Sequence, residues 1–84
     1  MSDVAETVRA TVLEIVRRQR PEVQAVVGEQ ALVAELGLRS MDIAELVATL
    51  EMKLNADPFE ELVAISDVKT VGDLCAAYAK AVAA

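Results

Sequence analysis

Apolar residues recur along this chain at intervals of three and four, the spacing of one face of an α-helix. Val4, Val8, Val12 and Ile15 form a first stripe, widened by Leu13 and Val16. Ser2 or Asp3 stands where an N-cap belongs. Pro21 ends this helix by Gln19 or Arg20, because the residue before a proline avoids the helical region. Arg9, Arg17, Arg18 and Arg20 fall outside the stripe. Cations complement the dipole of a helix C-terminus, so these arginines read as a solvated helix end, with a patch for a partner as the alternative.

Between Pro21 and Arg39 the pattern loses its period but not its apolar content. Val23, Val26, Val27, Leu32, Val33, Leu36 and Leu38 are too many for a free loop. A structureless connection of this length is unusual in a small domain. These residues are expected to pin it to the core, with a helical turn near 30–35 and bends at Gly28 and Gly37.

A second stripe follows at once. Ile43, Leu46, Val47, Leu50 and Leu54 predict a helix from about Ser40 to Leu54. Ser40 is the expected N-cap, its hydroxyl exposed at the helix start. The other side carries Met41, Ala44, Glu45, Ala48, Glu51 and Met52, which is small, acidic and partly apolar. That composition suits a docking surface, since exposed methionine is adaptable in contact. Asn55-Ala56-Asp57-Pro58 breaks the helix, with Asp57 as cap and Pro58 as first residue of a short third helix over about 58–64. Phe59, Leu62, Val63 and Ile65 are its expected core contacts, with Glu60 and Glu61 outward and a link from Ser66 to Lys69. Thr70 and Asp73 have the spacing of a capping box. Val71, Leu74, Cys75, Tyr78 and Val82 then mark a last helix over about 71–82. The expectation is an all-α fold, a small four-helix bundle with a short third helix and a long first loop, in one domain over 1–84.

Charge narrows what such a domain can bind. The chain has 84 residues and a net charge of −6, with no histidine. Phosphate backbones repel it, so nucleic acid is not an expected ligand. A partner with a basic docking patch is favoured. The one cysteine, Cys75, cannot form an internal disulfide and reads as a small buried hydrophobe. No basic segment leads into an apolar run, and no apolar stretch approaches the ~20 residues of a membrane span. A cytoplasmic monomer is expected.

Neither a Ser-His-Asp nor a Cys-His arrangement can be built without histidine. Asp42 and Glu45 lie three apart on one helical face, as a solvated acidic face requires. Ser40 has no base beside it in the sequence, so it reads as a substrate for another enzyme and not as a nucleophile of its own. The chain is expected not to be an enzyme.

The stretch Leu36-Gly37-Leu38-Arg39-Ser40-Met41-Asp42, followed by Glu45-Leu46-Val47, resembles the modification segment of the acyl carrier protein family. The family's usual form is Leu-Gly-x-Asp-Ser-Leu-Asp, then a helix bearing Glu-Leu. Arg39 stands here for the usual Asp and Met41 for the usual Leu. Length, helix spacing and acidity extend the resemblance over almost the whole chain. It implies a 4′-phosphopantetheine arm on Ser40, delivered from coenzyme A by a phosphopantetheinyl transferase and ending in a thiol that holds acyl groups as thioesters. It implies docking through Arg39, Met41, Asp42, Ala44, Glu45, Ala48, Glu51 and Met52. The partners implied are acyltransferase, ketosynthase-type or acyl-ligase enzymes with basic patches, in fatty acid or polyketide-type biosynthesis. It implies an acyl pocket among Leu46, Leu50, Leu54, Phe59, Leu62 and Ile65, residues that equally suit ordinary core. Arg39, Met52 and Lys53 lower the acidity of the helix front, which hints at a specialised, polyketide-like pathway. The alternatives are an unmodified helical interaction module of the same fold and a peptidyl (aminoacyl) carrier. The latter usually has glycines where Leu38-Arg39 precede Ser40.

Overall fold

In the computed structural model, residues 4–61 and 64–83 are described, without the side chains of Glu60 and Glu61. Helix α1 spans Val4–Arg17, α2 Ser40–Leu54 and α4 Val71–Ala83; α3 is a single turn, Pro58–Glu61. A 3-10 turn, Ile65–Asp67, follows α3. Among the described residues there is no strand, only one isolated bridge between Ala31 and Thr70. The domain is therefore small and all-helical, with three long helices. None of them is long and apolar enough to cross a membrane.

The expected stripes bury as periodicity requires. Val8, Val12, Ile15 and Val16 of α1 pack with Leu46 and Leu50 of α2 and with Val71, Leu74 and Tyr78 of α4 in one core. Helix α1 lies along both α2 and α4, and α3 rests on α4. Ala77 joins the buried face of α4, while Val82 near its end is 46% exposed. Cys75 is half-buried.

Several boundaries differ from expectation. Helix α1 stops at Arg17, short of Gln19 or Arg20. The chain there tightens into turns, with Arg18 N–H donating to the Ile15 carbonyl and Gln19 N–H to the Val16 carbonyl. The third helix is described over Pro58–Glu61 and has ended by Ala64, where the backbone is extended, and the expected link opens with the 3-10 turn. Its predicted start holds: Asp57 Oδ1 accepts from the Phe59 N–H at 3.0 Å. Asn55 ends α2 in the left-handed conformation at φ 52°, which asparagine tolerates. Ser2, Asp3, Leu62, Val63 and the outward Glu60 and Glu61 side chains lie outside the described residues.

The first loop is pinned, but by fewer residues than expected. Val26, Leu32, Leu36 and Leu38 are buried, whereas Val27 and Val33 stand 53% and 65% exposed. The loop closes a helical turn at 31–37, with Glu35 N–H donating to the Ala31 carbonyl and Gly37 N–H to Val33. It is then clasped to the start of α4 by three backbone bonds. Gly72 N–H donates to Gly28, Val71 to Gln30, and Leu32 to Lys69. The start of α4 is closed by the predicted box: Asp73 Oδ2 accepts from Thr70 N–H, and Thr70 Oγ1 from Asp73 N–H, each at 3.0 Å. These backbone donors, Lys69 N–H first and Thr70 N–H next, hold the Asp73 carboxyl below its usual range.

The clasp yields an asymmetric prediction. A Cβ on Gly72 would stand 3.0 Å from the Gly28 carbonyl oxygen, a backbone atom that cannot swing away, whereas one on Gly28 meets nothing closer than 3.7 Å. Gly72→Ala should therefore lose stability, although alanine is intrinsically the better helix former by about 1 kcal/mol. Gly28→Ala should be near neutral. Guanidinium unfolding of both variants checks this, and equal midpoints would refute the close contact.

A second prediction concerns pH. Tyr78 is fully buried, and its hydroxyl donates to the Val47 carbonyl at 3.2 Å. Burial, then the negative charges of Asp57 and Glu51, push its pKa up to about 12. The folded state thus holds the phenol proton more tightly than the unfolded chain. Its contribution is whole below the ordinary value of 10.0 and is lost as pH rises through about 12. Unfolding curves across that window should fall more steeply for the parent than for Tyr78→Phe; parallel curves would contradict the shift.

Candidate functional site

Ser40 sits at the start of α2, but one place further in than a cap. Arg39 is the N-cap, with extended backbone at φ −100° and ψ 174°, and Ser40 is the first helical residue. The physical reason lies in Asp42, whose carboxylate accepts from the Arg39 N–H at 2.9 Å. The acid three residues on closes the helix end, and Arg39, which has no side-chain acceptor, cannot return the bond. Buried Leu38 and the left-handed Gly37 (φ 72°) set the entry. The first helical bond runs from Ile43 N–H to the Arg39 carbonyl at 2.9 Å. Ser40 is exposed. Its hydroxyl makes no hydrogen bond among the described residues. The first-turn N–H groups and the positive end of the dipole would favour an anion attached there.

The predicted docking residues share one surface. Met41 and Met52 are 85% and 83% exposed. Ala44, Glu45, Ala48 and Glu51 flank them on α2, Arg39 is exposed at the helix start, and Asp42 is half-buried. Glu45 is not a free acid, however. The Arg18 guanidinium, just past the end of α1, grips it in a fork at 2.7 Å and 2.5 Å. That hydrogen bond lowers the Glu45 pKa and raises that of Arg18. Arg18 is thus no mere solvated helix end.

Lys53 also departs from the expectation that put it on the front of α2. Its Nζ donates to Thr11 Oγ1 at 3.1 Å and lies 3.6 Å from the Glu14 carboxylate, both on α1. Thr11 is fully buried and donates to the Thr7 carbonyl at 2.8 Å. Sequence reasoning passed over Thr11, although its spacing from Val8 and Ile15 already placed it on the buried stripe.

A partly open apolar cavity of about 410 Å³ has exposed Val33, Ala34 and Ile65 among its lining residues. Of the six expected pocket residues, Leu46, Phe59 and Ile65 line it. Leu50 is packed into the core and Leu54 against it, neither lining the cavity, and Leu62 is outside the described residues. The cavity sits at the N-terminal half of α2, where Ile43 and Val47 line it, and not along its whole length. Its other wall is the clasped loop, Ala31 to Ala34, which periodicity could not assign. Val68, Lys69 and Leu74 complete it from the start of α4. Tyr78 touches two of these liners, the Val47 carbonyl and the Phe59 ring, the latter edge-on at 6.0 Å.

Compared with protein-family models, with curated proteins and with solved structures, the chain matches none of them.

Proposed function

We propose that this chain is a carrier of the acyl-carrier type, whose Ser40 takes a 4′-phosphopantetheine arm and presents acyl thioesters to partner enzymes. The observation that carries this reading is a juxtaposition. An exposed hydroxyl with no hydrogen-bond partner among the described residues stands at the first residue of α2, and Ile43, one turn on, lines an apolar cavity of about 410 Å³. Three residues are about 4.5 Å along a helix axis, so an arm on Ser40 starts beside the cavity.

In loading, Ser40 Oγ bonds to the phosphorus that carries the pantetheine of coenzyme A, the pyrophosphate P–O bond breaks, and adenosine 3′,5′-bisphosphate leaves. The serine proton passes to a base of the transferase, since this chain has no histidine to take it. The new phosphodiester is anionic and sits at the positive end of α2. The arm's thiol holds the acyl group; the protein's part is to position and deliver it, and the tether makes delivery to a docked enzyme effectively intramolecular. The finer architecture, a four-helix bundle with a short third helix, belongs to the same proposal.

Docking falls to the surface of Arg39, Met41, Asp42, Ala44, Glu45, Ala48, Glu51 and Met52. A phosphopantetheinyl transferase and acyltransferase, ketosynthase-type or acyl-ligase enzymes are the partners. The second reading, an unmodified interaction module, draws on the same exposed methionines and on Arg39 at the cap position.

Thiol counting separates the two. The chain has one cysteine. Incubation with coenzyme A, magnesium and a broad-specificity phosphopantetheinyl transferase should raise the denatured protein from one titratable thiol to two. A count that stays at one, with transferases of different specificity, favours the unmodified module.

A further inference from the structure

We infer that Arg18 is a specificity-determining residue of the docking surface: it keeps Glu45 occupied within the molecule, so the surface selects a partner whose contact patch is apolar and puts no cation opposite Glu45. The inference rests on the carrier reading and deepens it by naming the kind of partner. Arg18 stands on the turn just past α1, its backbone N–H donating to the Ile15 carbonyl. Its guanidinium crosses to α2, where each terminal nitrogen engages one carboxylate oxygen of Glu45. A planar guanidinium fits a carboxylate in this two-point way, which an ammonium group does not. Both oxygens of Glu45 are therefore engaged before a partner arrives.

The neighbouring charges point the same way. Asp42, the other acid near Ser40, commits Oδ2 to the Arg39 N–H. Arg39 is exposed, and its guanidinium makes no ion pair among the described residues. The unpaired charge nearest Ser40 is thus positive. A basic group brought to this half of the surface meets Arg18 and Arg39 as like charges, which is how an interface turns away a wrong partner. Glu51, which also makes no ion pair among the described residues, leaves the far half acidic, so the selection acts at the half that holds Ser40.

What the surface offers in place of charge is apolar. Met41 and Met52 are 85% and 83% exposed. They are about three helical turns apart and so lie on one face, with exposed Ala44 and Ala48 between them. An exposed ion pair is weak, so Arg18 biases the choice of partner by a few-fold and does not forbid the other kind.

The test compares two forms of one phosphopantetheinyl transferase, one with a basic docking patch and one with the lysines and arginines of that patch changed to methionine. The readout is the ratio of their kcat/KM values for loading Ser40. Arg18→Gln should shift the ratio about threefold toward the basic form, through KM and not kcat, and the shift should fade as salt rises. Adding Glu45→Gln should cancel it, because the acid that Arg18 had occupied is then gone. Arg17→Gln removes an equal charge one residue away. Arg17 is exposed and makes no ion pair among the described residues, so this variant should keep the parental ratio. Helical circular dichroism checks that each variant is folded. A ratio unmoved by Arg18→Gln, an equal shift with Arg17→Gln, or a shift that survives Glu45→Gln overturns the inference and leaves the carrier reading standing. No loading of any chain by either form overturns the carrier reading, and this inference with it.

Discussion

Ser40→Ala should lose all phosphopantetheine loading while its unfolding free energy stays within about 0.5 kcal/mol of the parent. The two halves of this result come from one geometry. Arg39 is the cap and Asp42 supplies the closing bond, so removing the serine hydroxyl breaks no cap. Had Ser40 been the cap, the same substitution would have cost about 1 kcal/mol. Alanine is also the best helix former, so the first helical position accepts it. Loading, by contrast, is all or none, because the oxygen is the atom that forms the new bond. Ser66, exposed in the 3-10 turn, is the internal control: it does not stand at the first residue of a long helix and should not be loaded. Loading retained in Ser40→Ala would discard the site; a stability loss well above the expected range would discard the cap assignment.

Leu50→Ala should lower stability by about 3 kcal/mol, within the range of large-to-small changes in packed cores. Leu50 is completely buried in the cluster that joins α1, α2 and α4, and it does not line the cavity. Its truncation opens a new void among residues that cannot collapse into it. For a domain of 84 residues, total stability is about 4–13 kcal/mol, so the variant forfeits a large share of it. Val33→Ala, at a residue 65% exposed, is the contrast and should move by no more than about 0.5 kcal/mol. Denaturant titration followed by far-ultraviolet circular dichroism checks both. Similar losses in the two variants would mean the core lies elsewhere.

What the sequence made legible was mostly local. The stripes of α1, α2 and α4 were readable because a helix repeats its buried face every three or four residues, and the Thr70–Asp73 box and the Asp57–Pro58 start were readable because caps act over three residues. Relations between helices were not. The Arg18–Glu45 fork and the reach of Lys53 to Thr11 depend on how α1 and α2 are rotated about each other, which no period encodes. That Leu50 and Leu54 do not line the cavity has a similar cause. Periodicity tells which face is buried, not at which level the interior is empty, so Leu50 and Leu54 were grouped with Leu46. The loop wall from Ala31 to Ala34 was invisible because its position comes from the clasp between Gly28 and Gly72. Val27 and Val33 show the converse: an apolar residue in a loop need not be an anchor, and these two stand exposed. At the site itself, the exposed serine was legible, and the exchange of cap between Ser40 and Arg39 was not, because it turns on which of two side chains answers the helix end.

The most direct test of the carrier reading is the intact mass of the protein after incubation with coenzyme A, magnesium and a phosphopantetheinyl transferase, followed by fragmentation to locate any added group. A gain of one phosphopantetheine on the peptide that contains Ser40 is the expected result. An unchanged mass in a folded, helical sample, after transferases tolerant of Arg39 have been used, or a gain on any other residue, would contradict it.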